Sequence, residues 1–287
     1  MKRHFVAFCE VIFVVLILPI DASAQQSLVD KYPLIPQPRE VIFGQYELKY
    51  NALDIVENDF PQLIEQLSEF LKSNETPKTT NGLKVHLIKD SSIDFNHKEG
   101  YHLEISKDVR IKANDDKGTF YGLQTLKQLI VLGGSNTLPQ LRIIDFPAFN
   151  IRGFLHDTGR NFQSVKQLKE QIEILALYKY NTFHWHLTDN PAWRLESTLY
   201  PQLQSIEATS RGKGGFYTQE DFKEIIQFCQ KRFITVIPEF DIPGHTEAFR
   251  KASGYNSMND LRVKPILLNL FKELCSLADA ETMPLCP

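Results

Sequence analysis

The chain has 287 residues, enough for two ordinary domains. Its 43% hydrophobic and 23% charged residues are the balance of a globular protein and exclude a disordered or collagenous one. The formal net charge of -3 leaves no basic footprint and excludes a nucleic-acid partner held by charge.

Lys2-Arg3-His4 is a basic start, and Phe5 to Ile20 is almost wholly apolar, broken by Glu10. Ala22-Ser23-Ala24 then forms a small-residue cleavage site. The pattern predicts a signal peptide over residues 1–24 and an exported protein, periplasmic or extracellular. The apolar run is short for a membrane span, so no stable span is expected after cleavage. Cys9 leaves with the signal. Cys229, Cys275 and Cys286 form no dense disulfide framework. Cys229 and Cys275 fall in amphipathic segments and read as small buried hydrophobes.

Residues 25–149 mix strands and helices without a convergent catalytic cluster, which predicts a small α+β accessory domain. Val41 to Tyr50 reads as extended, and Phe60 to Leu71 carries Leu63, Leu67, Phe70 and Leu71 at helical spacing. Leu83 to Ile88 alternates like a half-buried strand. Tyr101–Ile105 and Val109–Ala113 flank a short turn and predict a hairpin. Asp115 or Asp116 caps a helix through Phe120, Leu123, Leu126 and Leu129, which Gly133-Gly134 ends.

From residue 150 to 287 the grammar becomes strand, helix, strand, helix. Ile151 to Asp157 predicts a first strand. Ser164 with Gln167 forms a capping box before a stripe of Val165, Leu168, Ile172 and Leu175, and Asn181 suits a left-handed exit. The second strand is Thr182 to Leu187, ending at Thr188-Asp189. Thr218 with Asp221 caps the next helix, whose stripe is Phe222, Ile225, Ile226 and Cys229. Phe233 to Ile237 is the third strand, ending at Pro238-Glu239-Phe240-Asp241. Pro265 suits a helix N1 position, before Ile266, Leu267, Leu270, Phe271 and Leu274. Repeated βα units imply a parallel sheet, open or closed, with chemistry at the C-terminal ends of its strands. Asp157, Arg160, Asp189, Asp241 and His245 all collect there.

Asp241 and His245 pair a carboxylate with an imidazole across a stiff turn, where the acid fixes the ring's charge and tautomer. Arg160 offers a rigid fork of donors to vicinal hydroxyls or a carboxylate. His184 and His186 share one strand face near Asp189 and could hold zinc, as in a metal-dependent barrel hydrolase, although no equally clear further ligands accompany them. Trp185 alternates with these histidines and should face the helices. Trp193 lies in a loop and is undetermined.

Together Arg152-Gly153-Phe154-Leu155-His156-Asp157-Thr158-Gly159-Arg160, Asn181 to Asp189 and Ile237 to His245 resemble glycoside hydrolase family 20, the β-N-acetylhexosaminidases. Tyr200-Pro201-Gln202-Leu203 is similar too. Upstream, Ile35-Pro36-Gln37-Pro38 and Gly118 to Leu123 resemble that family's accessory domain. The resemblance implies an incomplete (β/α)8 TIM barrel, its first three βα units, preceded by the small α+β domain. It implies removal of terminal β-linked N-acetylglucosamine or N-acetylgalactosamine with retention, the substrate's own acetamido oxygen attacking the anomeric carbon. No cofactor is expected, and the partner is an N-acetylhexosamine-containing glycan. By this resemblance Arg160 binds sugar hydroxyls, Asp189 and His245 are a pair supporting the catalytic acid, and Asp241, His186 and Glu239 line the site.

The family takes an acetamido-orienting Asp and an adjacent acid Glu from the end of a fourth strand. Ala280-Glu281-Thr282-Met283-Pro284-Leu285-Cys286-Pro287 stands there instead, and Glu281 is too early to substitute. The chain is therefore expected to be an inactive fragment, with an open edge and an uncovered sheet face that favour instability or aggregation. A sugar-binding remnant without turnover is the non-enzymatic alternative.

Overall fold

A computed structural model describes residues 22–63, 82–93, 99–134, 136–211 and 215–277. Residues 1–21, most of the helix expected from Phe60 to Leu71, and Glu281 lie outside them. No helix among the described residues is long and apolar enough to cross a membrane.

The helix α1 (Ala22–Lys31) leads into a six-stranded sheet. Its strands are β1 (Glu40–Lys49), β2 (Leu53–Asn58), β3 (Leu83–Lys89), β4 (Tyr101–Ile105), β5 (Val109–Ala113) and β6 (Thr137–Asp145). Their order is β1-β6-β4-β5-β3-β2. The hairpin β4–β5 pairs Tyr101 with Ala113 and Ile105 with Val109, and every second residue of both strands is buried. That alternation places one face against α2 (Asp116–Gly133), whose N-cap Asp115 accepts from the Gly118 amide at 2.8 Å. Gly118 is needed for close approach: a Cβ there would stand 2.3 Å from the Gly100 carbonyl oxygen. Of the expected Phe60 to Leu71 segment the structure describes Phe60 and a 3-10 turn, Pro61–Leu63, with Phe60 and Leu63 buried.

Two strands of this sheet go beyond the sequence expectation. β6 contains Pro139, which argues against a central strand. In the fold Pro139 pairs with Glu47 of β1 beside a register shift, while the β4 pairing runs only from Leu141 to Asp145. β2 is an exposed edge strand with its own register shift, so it carries little buried alternation.

The second sheet has the order β10-β8-β7, with β9 on the tip of β8. β7 (Gly153–Asp157), β8 (Thr182–Asp189) and β10 (Thr235–Phe240) are parallel. α3 (Val165–Leu177) and α4 (Gln219–Gln230) connect them, and β9 is Ala192–Trp193. Both connecting helices start with complete capping boxes, Ser164 with Gln167 and Thr218 with Asp221. Leu168, Ile172 and Leu175 of α3, and Phe222, Ile225, Ile226 and Cys229 of α4, form the buried stripes. Trp185 packs between them and the sheet, stacked on Phe222 and donating to Thr158 Oγ1 at 3.0 Å.

Several local expectations need correction. The left-handed residue after α3 is Lys179, with φ 62°, not Asn181. Asn181 instead accepts from the Arg152 amide and donates to the Asn150 carbonyl, so it ties the starts of two strands together. Phe233 is also left-handed, with φ 56°, which delays the third strand to Thr235. After the turn helix α5 (Glu247–Ser253), the last described helix, α6, is Val263–Cys275, which puts Pro265 at the third helical position rather than the first. Cys275 is disulfide-bonded rather than a free apolar thiol. Cys229 is free and buried, and burial pushes its thiol up to about 12.

The two sheets are joined at the N-terminal ends of β7 and β8. Arg152 reaches Glu99 Oε2 at 2.6 Å and the carbonyls of Lys179 and Phe149, and lies over the Tyr121 ring. Lys179 Nζ meets Asp145 Oδ2 at 2.8 Å and the Tyr101 hydroxyl at 2.9 Å. Burial lowers the Lys179 pKa, against the pull of Asp145. A cavity of about 640 Å³ lies at this junction.

Candidate active site

β7, β8 and β10 run in one direction, so their C-terminal ends share a rim. Register then sets a cross-strand row just below it. Asp157 pairs with His186 and His186 with Glu239. Side chains alternate along a strand. Phe183, Trp185 and Leu187 are therefore buried on the helix side, leaving His184 and His186 together on the other face.

Asp189 is the hub of the rim, with its side chain only 2% exposed. Its Oδ2 accepts from His186 Nε2 at 3.1 Å and lies 2.8 Å from the Arg160 guanidinium. Its Oδ1 accepts from the Asn190 amide at 2.6 Å and lies 3.3 Å from His245 Nδ1. Burial works to raise the Asp189 pKa. The His186 hydrogen bond, the Asn190 amide and the charges of Arg160 and His245 outweigh it and hold the carboxyl below its ordinary value.

Arg160 donates to Asp157 Oδ2 at 2.6 Å while its own amide donates to Asp157 Oδ1. The hydrogen bond to Asp157 raises its pKa further, and nearly half of its side chain faces solvent. The loop carrying it can come this close because residue 159 is glycine. A Cβ there would stand 3.1 Å from the Thr188 carbonyl carbon and 3.2 Å from Asp189 Cβ.

His186 has carboxylates on both sides: Asp189 at Nε2, and Glu239 Oε2 at 2.9 Å from Nδ1. Burial would lower its pKa, but Glu239, Asp189 and Asp157 together raise it. His184 Nε2 lies 2.8 Å from the same Glu239 oxygen. That oxygen is buried and meets no donor in hydrogen-bond alignment, so these two contacts are close approaches rather than aligned hydrogen bonds. His245 has φ 51° and sits above the rim, its Nε2 4.0 Å from Asp241 Oδ2. The expected pairing of His245 with Asp241 is therefore looser than its pairing with Asp189. Asp241 is held by its own amide, which donates to Thr188 Oγ1 at 2.9 Å.

Arg160, Asp189, His245, Asp241, His186 and Glu239 thus meet in one neighbourhood. Thr188 and Asn190, which anchor Asp241, Asp189 and the start of α5, were not expected in these roles. Their signal is their place on either side of Asp189 at a strand end. Trp193 is a core residue, packed with Phe240 and Phe249. A cavity of about 340 Å³ opens beside the rim, lined by Asn190, Pro243, His245, Thr246 and Arg250. The larger cavity at the domain junction is lined by Lys179, Asp145, Arg152 and Glu99, which pair with one another. The convergent, solvent-reachable groups are at the rim.

The zinc set His184, His186 and Asp189 does not form. The histidines converge on Glu239, and Asp189 sits at the opposite nitrogen of His186. Among the described residues His186, Asp189 and Asp241 could together approach an ion. Asp189 Oδ2 already meets Arg160 and His186.

Known proteins share this architecture. The model of glycosyl hydrolase family 20, catalytic domain, matches residues 149–272, and that of glycosyl hydrolase family 20, domain 2, matches residues 31–146. A beta-hexosaminidase of Porphyromonas gingivalis is 42% identical over 188 residues, which are 61% of this chain and 24% of that protein. The GH20 beta-N-acetylhexosaminidase structure from Streptomyces coelicolor superposes with a TM-score of 0.74 at 27% identity, over 86% of this chain and 58% of that one. The GH20 exo beta-N-acetylglucosaminidase of Vibrio harveyi in complex with N-acetylglucosamine gives 0.71 at 28% identity, over 86% and 45%. The chain spans about a quarter of the first two curated relatives it matches. Two adjoining family models, the α/β fold and the rim motifs agree: this chain belongs to glycoside hydrolase family 20.

Proposed function

We propose that the whole protein is an exported, exo-acting β-N-acetylhexosaminidase that removes terminal β-linked N-acetylglucosamine or N-acetylgalactosamine with retention. The observation that carries this reading is the meeting of Arg160, Asp189 and His245 at one strand rim in a chain of this family. Arg160 is half exposed and its charge is fixed, so it can turn donors toward sugar hydroxyls. Asp189 orients His245, which supports the acid that protonates the leaving oxygen. Asp241, His186 and Glu239 line the same hollow. The acetamido oxygen of the substrate acts as nucleophile, made effective by being held in place.

In this reading β7, β8 and β10 are the first strands of a (β/α)8 barrel. The half-exposed Leu155 on the face opposite the helices supports it, since that face is interior in a closed barrel. In the 287 residues no Asp is followed directly by a Glu. A polypeptide of these residues alone therefore lacks the acid, worth about 10²–10⁴ in rate, and is proposed to be inactive.

The test is hydrolysis of a chromogenic N-acetyl-β-glucosaminide by the full-length protein, with the product anomer followed by NMR. Release of β-N-acetylglucosamine supports the reading. An inverted product, or no turnover while a stoichiometric divalent metal is retained, defeats it.

A further inference from the structure

The mechanism above leaves Glu239 with no task beyond lining the hollow, yet its position is distinctive. It lies on the third strand in register with His186, and one oxygen, Oε2, faces two imidazoles. His184 Nε2 stands 2.8 Å away and His186 Nδ1 2.9 Å away. From His186 the chain of charges continues through Nε2 to Asp189 Oδ2 and from Asp189 Oδ1 to His245. Five side chains from two strands and a loop thus alternate acid and base: His184, Glu239, His186, Asp189, His245.

We propose that Glu239 is a positioning residue: it holds His184 and His186 on one oxygen and so aims the His186 Nε2 proton at Asp189. A carboxylate next to a ring nitrogen favours a proton on that nitrogen. With Glu239 2.9 Å from Nδ1 and Asp189 at Nε2, the doubly protonated, cationic ring is the form that both carboxylates favour. Asp157 from β7 also faces Nε2, at 4.0 Å. Arg160 offsets Asp157 and Asp189 from the solvent side, whereas no arginine or lysine ion pair among the described residues offsets Glu239. Asp189 then stays ionised with a fixed donor on Oδ2, and its Oδ1 is left to orient His245. His184 is the counterweight that keeps the Glu239 carboxylate from swinging to one side.

The kinetic consequence rests on the hexosaminidase reading; the protonation state of His186 does not. Both are tested in the full-length protein. With ¹⁵N-labelled histidine, wild-type His186 should carry protons on both ring nitrogens at neutral pH. Glu239→Gln should lower its titration midpoint by about one pH unit, and kcat on the chromogenic glycoside should fall about 10- to 100-fold with KM within about twofold. Glu239→Asp keeps the charge but is shorter, so it should restore most of the midpoint and little of kcat. An unprotonated Nδ1 in wild-type His186 overturns the proposal without any variant. So does a Glu239→Gln protein that folds with the His186 midpoint unchanged. An unchanged kcat with a shifted midpoint overturns the positioning role. Absence of any glycosidase activity in wild type overturns the hexosaminidase reading instead, and leaves the NMR result to decide the histidine geometry.

Discussion

Arg160 and Asp189 meet at 2.8 Å although they come from the ends of different strands, and one is half exposed while the other is buried. The exposed partner can exchange its contacts with a ligand, whereas the buried one keeps its place. Arg160→Ala should therefore cost little stability. It should lower kcat/KM of the full-length protein on a β-N-acetylglucosaminide by about 10- to 100-fold, the range of a lost charged hydrogen bond. Arg160→Lys should recover little, because an ammonium cannot span Asp157 and Asp189 as a fork does.

Asp189→Asn should act on the fold as well as the site. Asp157 still faces Arg160 and Glu239 still faces His186, so losing the buried charge that both share costs about 1–3 kcal/mol, the range of a lost buried hydrogen-bond partner. Urea unfolding at neutral pH measures it. A variant within 1 kcal/mol of wild type would contradict the hub assignment.

The same cluster sets two limits on pH stability. The Asp189 pKa is lowered in the fold, so its contribution is present above the unfolded value of about 3.9 and is lost as pH falls through the lower folded value. The His186 pKa is raised, so its contribution is complete below about 6.5 and is lost as pH rises through the higher folded value. Unfolding free energy against pH should fall on both sides. His186→Gln should flatten the alkaline limb and leave most of the acid limb.

Gly159→Ala should push the Arg160 loop away from β8. The added carbon meets backbone at 3.1 Å, and the overpacking should cost about 1–3 kcal/mol. Urea unfolding reads that cost, and the Arg160–Asp189 pair should loosen with it, seen as a higher Asp189 titration midpoint by NMR.

At the opposite strand ends, Lys179→Met should destabilise by about 3–5 kcal/mol, because Asp145 is then buried without its ammonium partner. Adding Asp145→Leu should recover most of the loss. Urea midpoints of the single and double variants decide it.

The βα elements and their caps are readable because each rests on local chemistry. Ser164 with Gln167 and Thr218 with Asp221 close the boxes that their spacing predicts, and the apolar stripes of α3 and α4 are buried as read except at Val165, which is only partly covered. β2 and β6 escape because one is an exposed edge and the other carries Pro139 where pairing is one-sided. Lys179 and Phe233 are left-handed although neither residue type favours it. At Lys179 the turn leads to a buried ion pair with Asp145, contributed by a strand 34 residues earlier. Within the site, residue types and strand ends locate the neighbourhood. Spacing does not decide between Asp189, 3.3 Å from His245, and Asp241, 4.0 Å away, because both follow strand ends; it is the family resemblance that pairs Asp189 with His245.

The part-buried pair Arg152–Glu99 and the buried pair Lys179–Asp145 grip the strands at their starting ends, about one strand length from Asp157 and Asp189. Anchorage and recognition are thereby assigned to opposite termini of the same strands. Loops beyond Asp189 and Asp241 can be lengthened, shortened or exchanged without touching the foundation on which β7 and β8 stand, so what the rim accepts is free to diversify while the seat of the small domain is kept.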